Sequence, residues 1–184
     1  MAHLLRARVG PRRCTESALL VPCIEAEPVV ATWRAQLDPA ARLGVPAHVT
    51  VLSPFVIPSA VDDGLLERIA RVLEPFHKFE FSLSDVRWFG DQVVYLAPDP
   101  AEPFREITEA IVEAFPRYRP YGGQFDEVIP HLTVCETAPL AQMKEAAHAL
   151  ERCLPISSTA EEVRLMVGSG ASSSWSVAAT FPLL

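Results

Sequence analysis

Pro46-Ala47-His48-Val49-Thr50-Val51 returns in the second half of the chain as Pro130-His131-Leu132-Thr133-Val134. Both stretches read His-apolar-Thr-Val, and both lie in runs with strand character. Side chains alternate faces along a strand, so residues two apart point the same way. His48 and Thr50 therefore share one face, with Val49 and Val51 on the other. His131 and Thr133 repeat the arrangement, backed by Leu132 and Val134. Two such strands can bring two imidazoles and two hydroxyls to one cleft, a set suited to acid–base chemistry at a phosphate.

Outward from these strands, one plan is written twice. The first half reads as a strand over 18–25, a helix over 27–37, the motif strand over 48–52, and a helix over 61–74. That last helix carries Leu65, Leu66, Ile69, Val72 and Leu73 on one face. A strand over 79–88 follows, alternating Phe79, Phe81 and Leu83 against Glu80, Ser82 and Ser84. Residues 38–46 read as loop, and Gly90-Asp91 as a tight turn. The second half reads as a strand over 92–97, then a helix opening at Glu102-Pro103 with Phe104, Ile107, Ile111 and Phe115 at helical spacing. The motif strand over 131–136, a helix over 140–153, a strand over 162–167, a Gly/Ser-rich turn over 168–174 and a last strand over 175–181 complete it. Proline at a first helical turn is favourable, because its missing N–H has no partner there. Glu27-Pro28 and Glu102-Pro103 share this start.

The expected fold is therefore α+β, with β-α-β-α-β duplicated (about 15–90 and 91–184) and one closing strand. Residues 1–14 read as a flexible N-terminal extension, and 15–184 as a single bilobed domain. An approximate two-fold axis would place one motif from each half at a shared cleft.

Composition narrows the function. The net charge is −7 and 49% of residues are apolar, enough for a sizeable core. No basic stripe of the kind that grips long nucleic acid is visible, so no long nucleic-acid surface is expected. Arg117 and Arg119, with Tyr118 and Tyr121, form a small basic-aromatic cluster before the second motif. Arg6, Arg8, Arg12 and Arg13 form another in the N-terminal tail. Cys14, Cys23, Cys135 and Cys153 show no C-x-x-C pair and no metal-ligand spacing. The N-terminal arginines lack an apolar stretch behind them, and no run is long enough to span a membrane. A cytoplasmic monomer is the expectation.

The other histidines have simpler readings: His3 in the tail, His77 at a strand start, His148 on a helix among alanines. A catalytic zinc would need three protein ligands, and the sequence offers no third beside His48 and His131. No nucleophile elbow occurs. Two matching motifs at equivalent positions of halves that otherwise differ greatly are hard to assign to copying alone.

Paired H-x-[ST]-x motifs in two halves of a chain this size resemble the 2H phosphoesterase superfamily. The context Gly44-Val45-Pro46-Ala47-His48-Val49-Thr50-Val51-Leu52-Ser53-Pro54-Phe55 is similar to its 2'-5' RNA ligase-like branch. Ser53 stands where relatives often have an aromatic residue before the Pro-Phe. The resemblance covers about Thr15 to the C-terminus. It implies two mostly antiparallel sheets flanking a central cleft, and action on 2',3'-cyclic phosphates or on phosphodiesters of nucleotides or RNA ends, without metal or other cofactor. His48 and His131 are then the catalytic pair, one base and one acid, in an order that the near-symmetric motifs leave open. Thr50 and Thr133 bind the phosphate, with Arg119 and Tyr121 as further substrate contacts. The partner is a nucleotide or RNA-end substrate. The alternatives are end joining of the 2'-5' RNA ligase type and a non-catalytic nucleotide- or RNA-end-binding module.

Overall fold

The computed structural model describes residues 5–6, 14–124, 128–171 and 173–184. In chain order the elements are β1 (Leu5–Arg6), β2 (Glu16–Pro22), α1 (Glu27–Leu37), α2 (Pro39–Leu43), β3 (His48–Leu52), α3 (Asp63–Leu73), β4 (Phe79–Phe89), β5 (Val93–Asp99), α4 (Glu102–Ala114), β6 (Leu132–Glu136), α5 (Leu140–Glu151), β7 (Ile156–Ala160), β8 (Glu162–Gly168) and β9 (Ser176–Pro182).

The helices form where sequence and caps agree. Asp62 caps α3 by accepting from the Leu65 amide at 2.8 Å, and the helix buries Leu66, Ile69 and Leu73. Both α1 and α4 begin with a proline in the first turn. β2 is buried along nearly its whole length, as a strand covered on both faces must be, whereas β4 alternates and keeps one face to solvent.

The fold is α+β, with two antiparallel sheets flanking a central cleft. One sheet has the order β1-β9-β8-β2-β3 and the other β6-β5-β4-β7. Every strand pair is antiparallel. The motif strands β3 and β6 are the edges of their sheets and lie against each other across the cleft.

Repeats and sheets do not coincide. β4, the last strand of the first repeat, pairs with β5 and β7, while β8 from the second repeat pairs with β2. The helices are exchanged too: α1 packs behind β6 and α4 behind β3. The main apolar core consequently runs through both lobes, from Val49 and Val51 to Val134 and Ile107, beside a smaller cluster of Leu20, Val45 and Met166.

Two elements depart from the sequence reading. The segment read as loop after α1 contains α2, whose Asp38 side chain caps the Ala40 amide at 2.8 Å, with Pro39 in the first turn and left-handed Gly44 closing it. β7 lies in Ile156-Ser157-Ser158-Thr159-Ala160, where small polar residues hide the alternation. In the expected N-terminal extension, Leu5 and Arg6 pair with Thr180 and Ala179 of β9; residues 1–4 and 7–13 are outside the described residues.

Candidate active site

Alternation along the two edge strands delivers the motif side chains as their sequence implies. Val49, Val51, Leu132 and Val134 are buried, and His48, Thr50, His131 and Thr133 are half-buried on the opposite faces. All four of the latter line one cleft of about 890 Å³. That volume suits a nucleotide-sized ligand.

Both imidazoles are held identically. His48 Nδ1–H donates to the Pro46 carbonyl at 2.7 Å, and His131 Nδ1–H donates to the Ile129 carbonyl at 2.6 Å. A carbonyl only accepts, so the proton sits on Nδ1 and each Nε2 is left for proton transfer in the cleft. Burial lowers the His48 pKa from 6.5 to about 4, helped by the Arg34 charge and, less, by His131, and opposed by the Pro46 hydrogen bond. Burial also lowers His131, with the Ile129 hydrogen bond opposing it. Without a ligand, both rings are neutral at neutral pH.

Their surroundings differ. His131 sits among three aromatic rings: Phe89 (centroids 5.0 Å, 83°), Tyr95 (5.3 Å, 61°) and Tyr121 (6.3 Å, 17°). Arg34, 2% exposed on the buried face of α1, donates to the Thr133 carbonyl at 3.2 Å and to the Val45 carbonyl at 3.3 Å, and its charge acts on His48. Asp38, Asp91 and Glu136 add carboxylates to the cleft wall, and among the described lining residues there is no lysine or arginine. Burial, together with the Asp38 charge, raises the Glu136 pKa.

Tyr121 joins the two motifs. Its backbone is left-handed (φ 52°), a conformation uncommon for a large residue, and its amide donates to the Ser53 carbonyl at 2.7 Å. Its ring lies along His131, and its hydroxyl meets the Thr50 side chain. Burial pushes that phenol up to about 12. Arg119, expected beside it as a substrate contact, is exposed and is not among the cleft-lining residues. The turn that aims Tyr121 inward leaves Arg119 outside it.

The sequence reading missed Arg34, Asp38, Phe89 and Glu136. Arg34 left one trace: a charge on the helical stripe Val30, Arg34, Leu37, where an apolar residue is the norm. Among the described residues, no group of three or more His, Cys, Asp or Glu side chains is arranged to hold a metal ion, and no helix is long and apolar enough to cross a membrane.

Residues 22–171 match the family model of the 2'-5' RNA ligase superfamily. No curated protein matches the chain. Among solved structures, a protein of Thermus thermophilus is similar, with TM-score 0.62 and 16% identity, over 91% of this chain and 97% of that one. E. coli LigT complexed with ATP is similar with TM-score 0.57 and 17% identity, over 92% of this chain and 98% of that one. E. coli LigT complexed with 3'-AMP gives 0.54 and 16%, over 93% and 98%.

Proposed function

The chain belongs to the 2'-5' RNA ligase superfamily, and from that premise we propose that it is a phosphodiesterase of 2',3'-cyclic phosphates or of phosphodiesters at nucleotides or RNA ends. The observation that carries the reading is the pair of His-x-Thr units lining one cleft, each imidazole presenting Nε2.

In the hydrolysis of a 2',3'-cyclic phosphate, water attacks phosphorus as a neutral imidazole takes its proton. The bond to one ribose oxygen breaks, and that oxygen receives a proton from the other imidazole, which must start protonated. The substrate's own negative charge favours that proton. Thr50 and Thr133 donate to the non-bridging oxygens, a contact that strengthens as charge grows in the transition state. The carboxylate-lined wall suits a phosphodiester with one negative charge better than a chain of phosphates.

The test is release of a phosphomonoester from 2',3'-cyclic nucleotides and short RNAs with EDTA present. Turnover that survives EDTA and disappears in His48→Ala and His131→Ala is expected. Absence of turnover over both substrate sets, or activity restored after EDTA only by added zinc or manganese, overturns the reading.

A further inference from the structure

One wall of the cleft is a single run of chain, residues 89 to 93, where β4 turns into β5. Phe89 opens the run. Its ring stacks on Tyr95, with centroids 4.2 Å and planes 22° apart, and Tyr95 is only 4% exposed. The His131 ring lies 5.0 Å from Phe89 and 5.3 Å from Tyr95. Nearly equidistant from both, His131 stands beside the stack and not over its outer face. That outer face of Phe89 is thus covered by neither ring, and Phe89 lines the cleft while Tyr95 does not. An apolar ring face, backed by a second ring and set next to a proton-transfer group, is a platform for a flat aromatic ligand. Every nucleobase has a π-face to lay on it. The imidazole then falls to the side of the base, where the ribose phosphate of a nucleotide extends.

Beyond the ring, Gly90 turns the chain with a left-handed backbone (φ 58°), and Asp91 and Gln92 follow on the same wall. Neither side chain has a hydrogen-bond partner among the described residues. The backbone that carries them is fixed. The Gln92 amide donates to the Phe89 carbonyl at 3.3 Å, and the Thr137 amide donates to the Gln92 carbonyl at 2.8 Å. Thr137 has φ 51°, a strained value for a β-branched residue. Strain of this kind persists only where the surroundings impose it. Here it fastens the turn to the end of the second motif strand.

A carboxylate only accepts hydrogen bonds, whereas a side-chain amide both donates and accepts. The edge of guanine offers N1–H and N2–H as adjacent donors, with O6 as an acceptor beside them. One carboxylate takes both donors, and a neighbouring amide donates to O6. Adenine and cytosine each offer the carboxylate a single amino group. Uracil offers one N–H between two carbonyl oxygens, which a carboxylate repels.

We propose that the β4–β5 turn is the base-reading wall of this site: Phe89 carries the base, and Asp91 with Gln92 selects guanine. The substrate is then a guanosine bearing a 2',3'-cyclic phosphate, which rests on the phosphodiesterase reading above.

A carboxylate that merely dresses the surface would leave the ranking of bases unmoved. The experiment uses the full chain as wild type, Asp91→Asn, Asp91→Ala and Phe89→Leu. It measures kcat/KM on the 2',3'-cyclic phosphates of guanosine, adenosine, cytidine and uridine. It also measures calorimetric binding of the corresponding 2'- and 3'-monophosphates, which needs no turnover. In wild type, guanosine should lead and uridine trail, with a ratio of about tenfold or more, the discrimination of one bidentate base contact. Both Asp91 variants should bring that ratio close to unity. Asp91 is exposed, so these variants put little of the fold at risk. Phe89→Leu should weaken binding of all four monophosphates by about fivefold or more and keep their order, because stacking is tolerant of base identity. Equal affinities in wild type, a preference for uridine, no binding of any monophosphate, or a guanosine preference that survives both Asp91 variants overturns the proposal. Turnover of all four cyclic phosphates at equal rates overturns it while keeping the phosphodiesterase. An Asp91-dependent preference for guanosine monophosphate in a protein that turns over none of them removes the phosphodiesterase and keeps the base-reading wall.

Discussion

Tyr121 lies nearly parallel to His131, ring centroids 6.3 Å apart and planes 17° apart, while its hydroxyl meets Thr50 of the opposite motif. The residue spans both halves of the site from one strained backbone position. Tyr121→Phe keeps the ring and loses the hydroxyl contact. A single neutral hydrogen bond is worth about 1 kcal/mol, so kcat should fall about fivefold. Tyr121→Gly relieves the left-handed backbone and removes the ring, and should fall further. Steady-state kinetics on a 2',3'-cyclic nucleotide decide it; wild-type kcat in Tyr121→Gly rules out a role for the ring.

Loss of one acid–base partner typically costs about a hundredfold to ten-thousandfold in rate. His48→Ala and His131→Ala should each fall in that range with the fold intact by circular dichroism. On the proposed mechanism Thr50→Ala and Thr133→Ala should lose less, since each would remove a phosphate contact and no proton-transfer group. A double histidine variant at wild-type rate contradicts the mechanism.

Both imidazoles bind protons more weakly than an ordinary histidine in the unliganded cleft. The pH profile of kcat/KM reports the unliganded enzyme, so its optimum should lie on the acid side of 6.5. A bound phosphate anion favours the protonated rings, so the kcat optimum should sit at higher pH. The limbs belong to the coupled pair, not to single residues. A kcat/KM optimum well above neutrality contradicts the burial of these rings.

His48 titrates at about 4 in the folded protein against 6.5 ordinarily. Between those values the unfolded chain holds the extra proton, so stability rises with pH across the window. As pH falls through 6.5 towards 4, that contribution to stability is progressively lost. Thermal melts at about pH 7 and about pH 5 should show a smaller drop for His48→Gln than for wild type. An equal drop in the two proteins assigns the acid sensitivity elsewhere.

Much of the site was legible because strand alternation is local. His48–Leu52 forms β3 as read, and the His-x-Thr spacing alone puts each pair on one face. What escaped was set by distant parts of the chain. That β8 pairs with β2, and β7 with β4, is a matter of tertiary register that no local pattern encodes. Arg34 reads as a surface helix residue until β6 supplies the Thr133 carbonyl. Tyr121 and Arg119 look equivalent in sequence, and only the left-handed turn at Tyr121 separates the residue aimed inward from the one left outside.

The exchange of helices between lobes also limits how the cleft can move. With α1 seated behind β6 and α4 behind β3, parting the sheets would strip apolar surface from both at once. The crossed helices act as a brace, so the span between the imidazoles is built in during folding instead of by closure around substrate. A braced pair of lobes has no partial stability to offer: the chain should melt in one calorimetric step, with van't Hoff and calorimetric enthalpies equal. Damage to either half would then silence both.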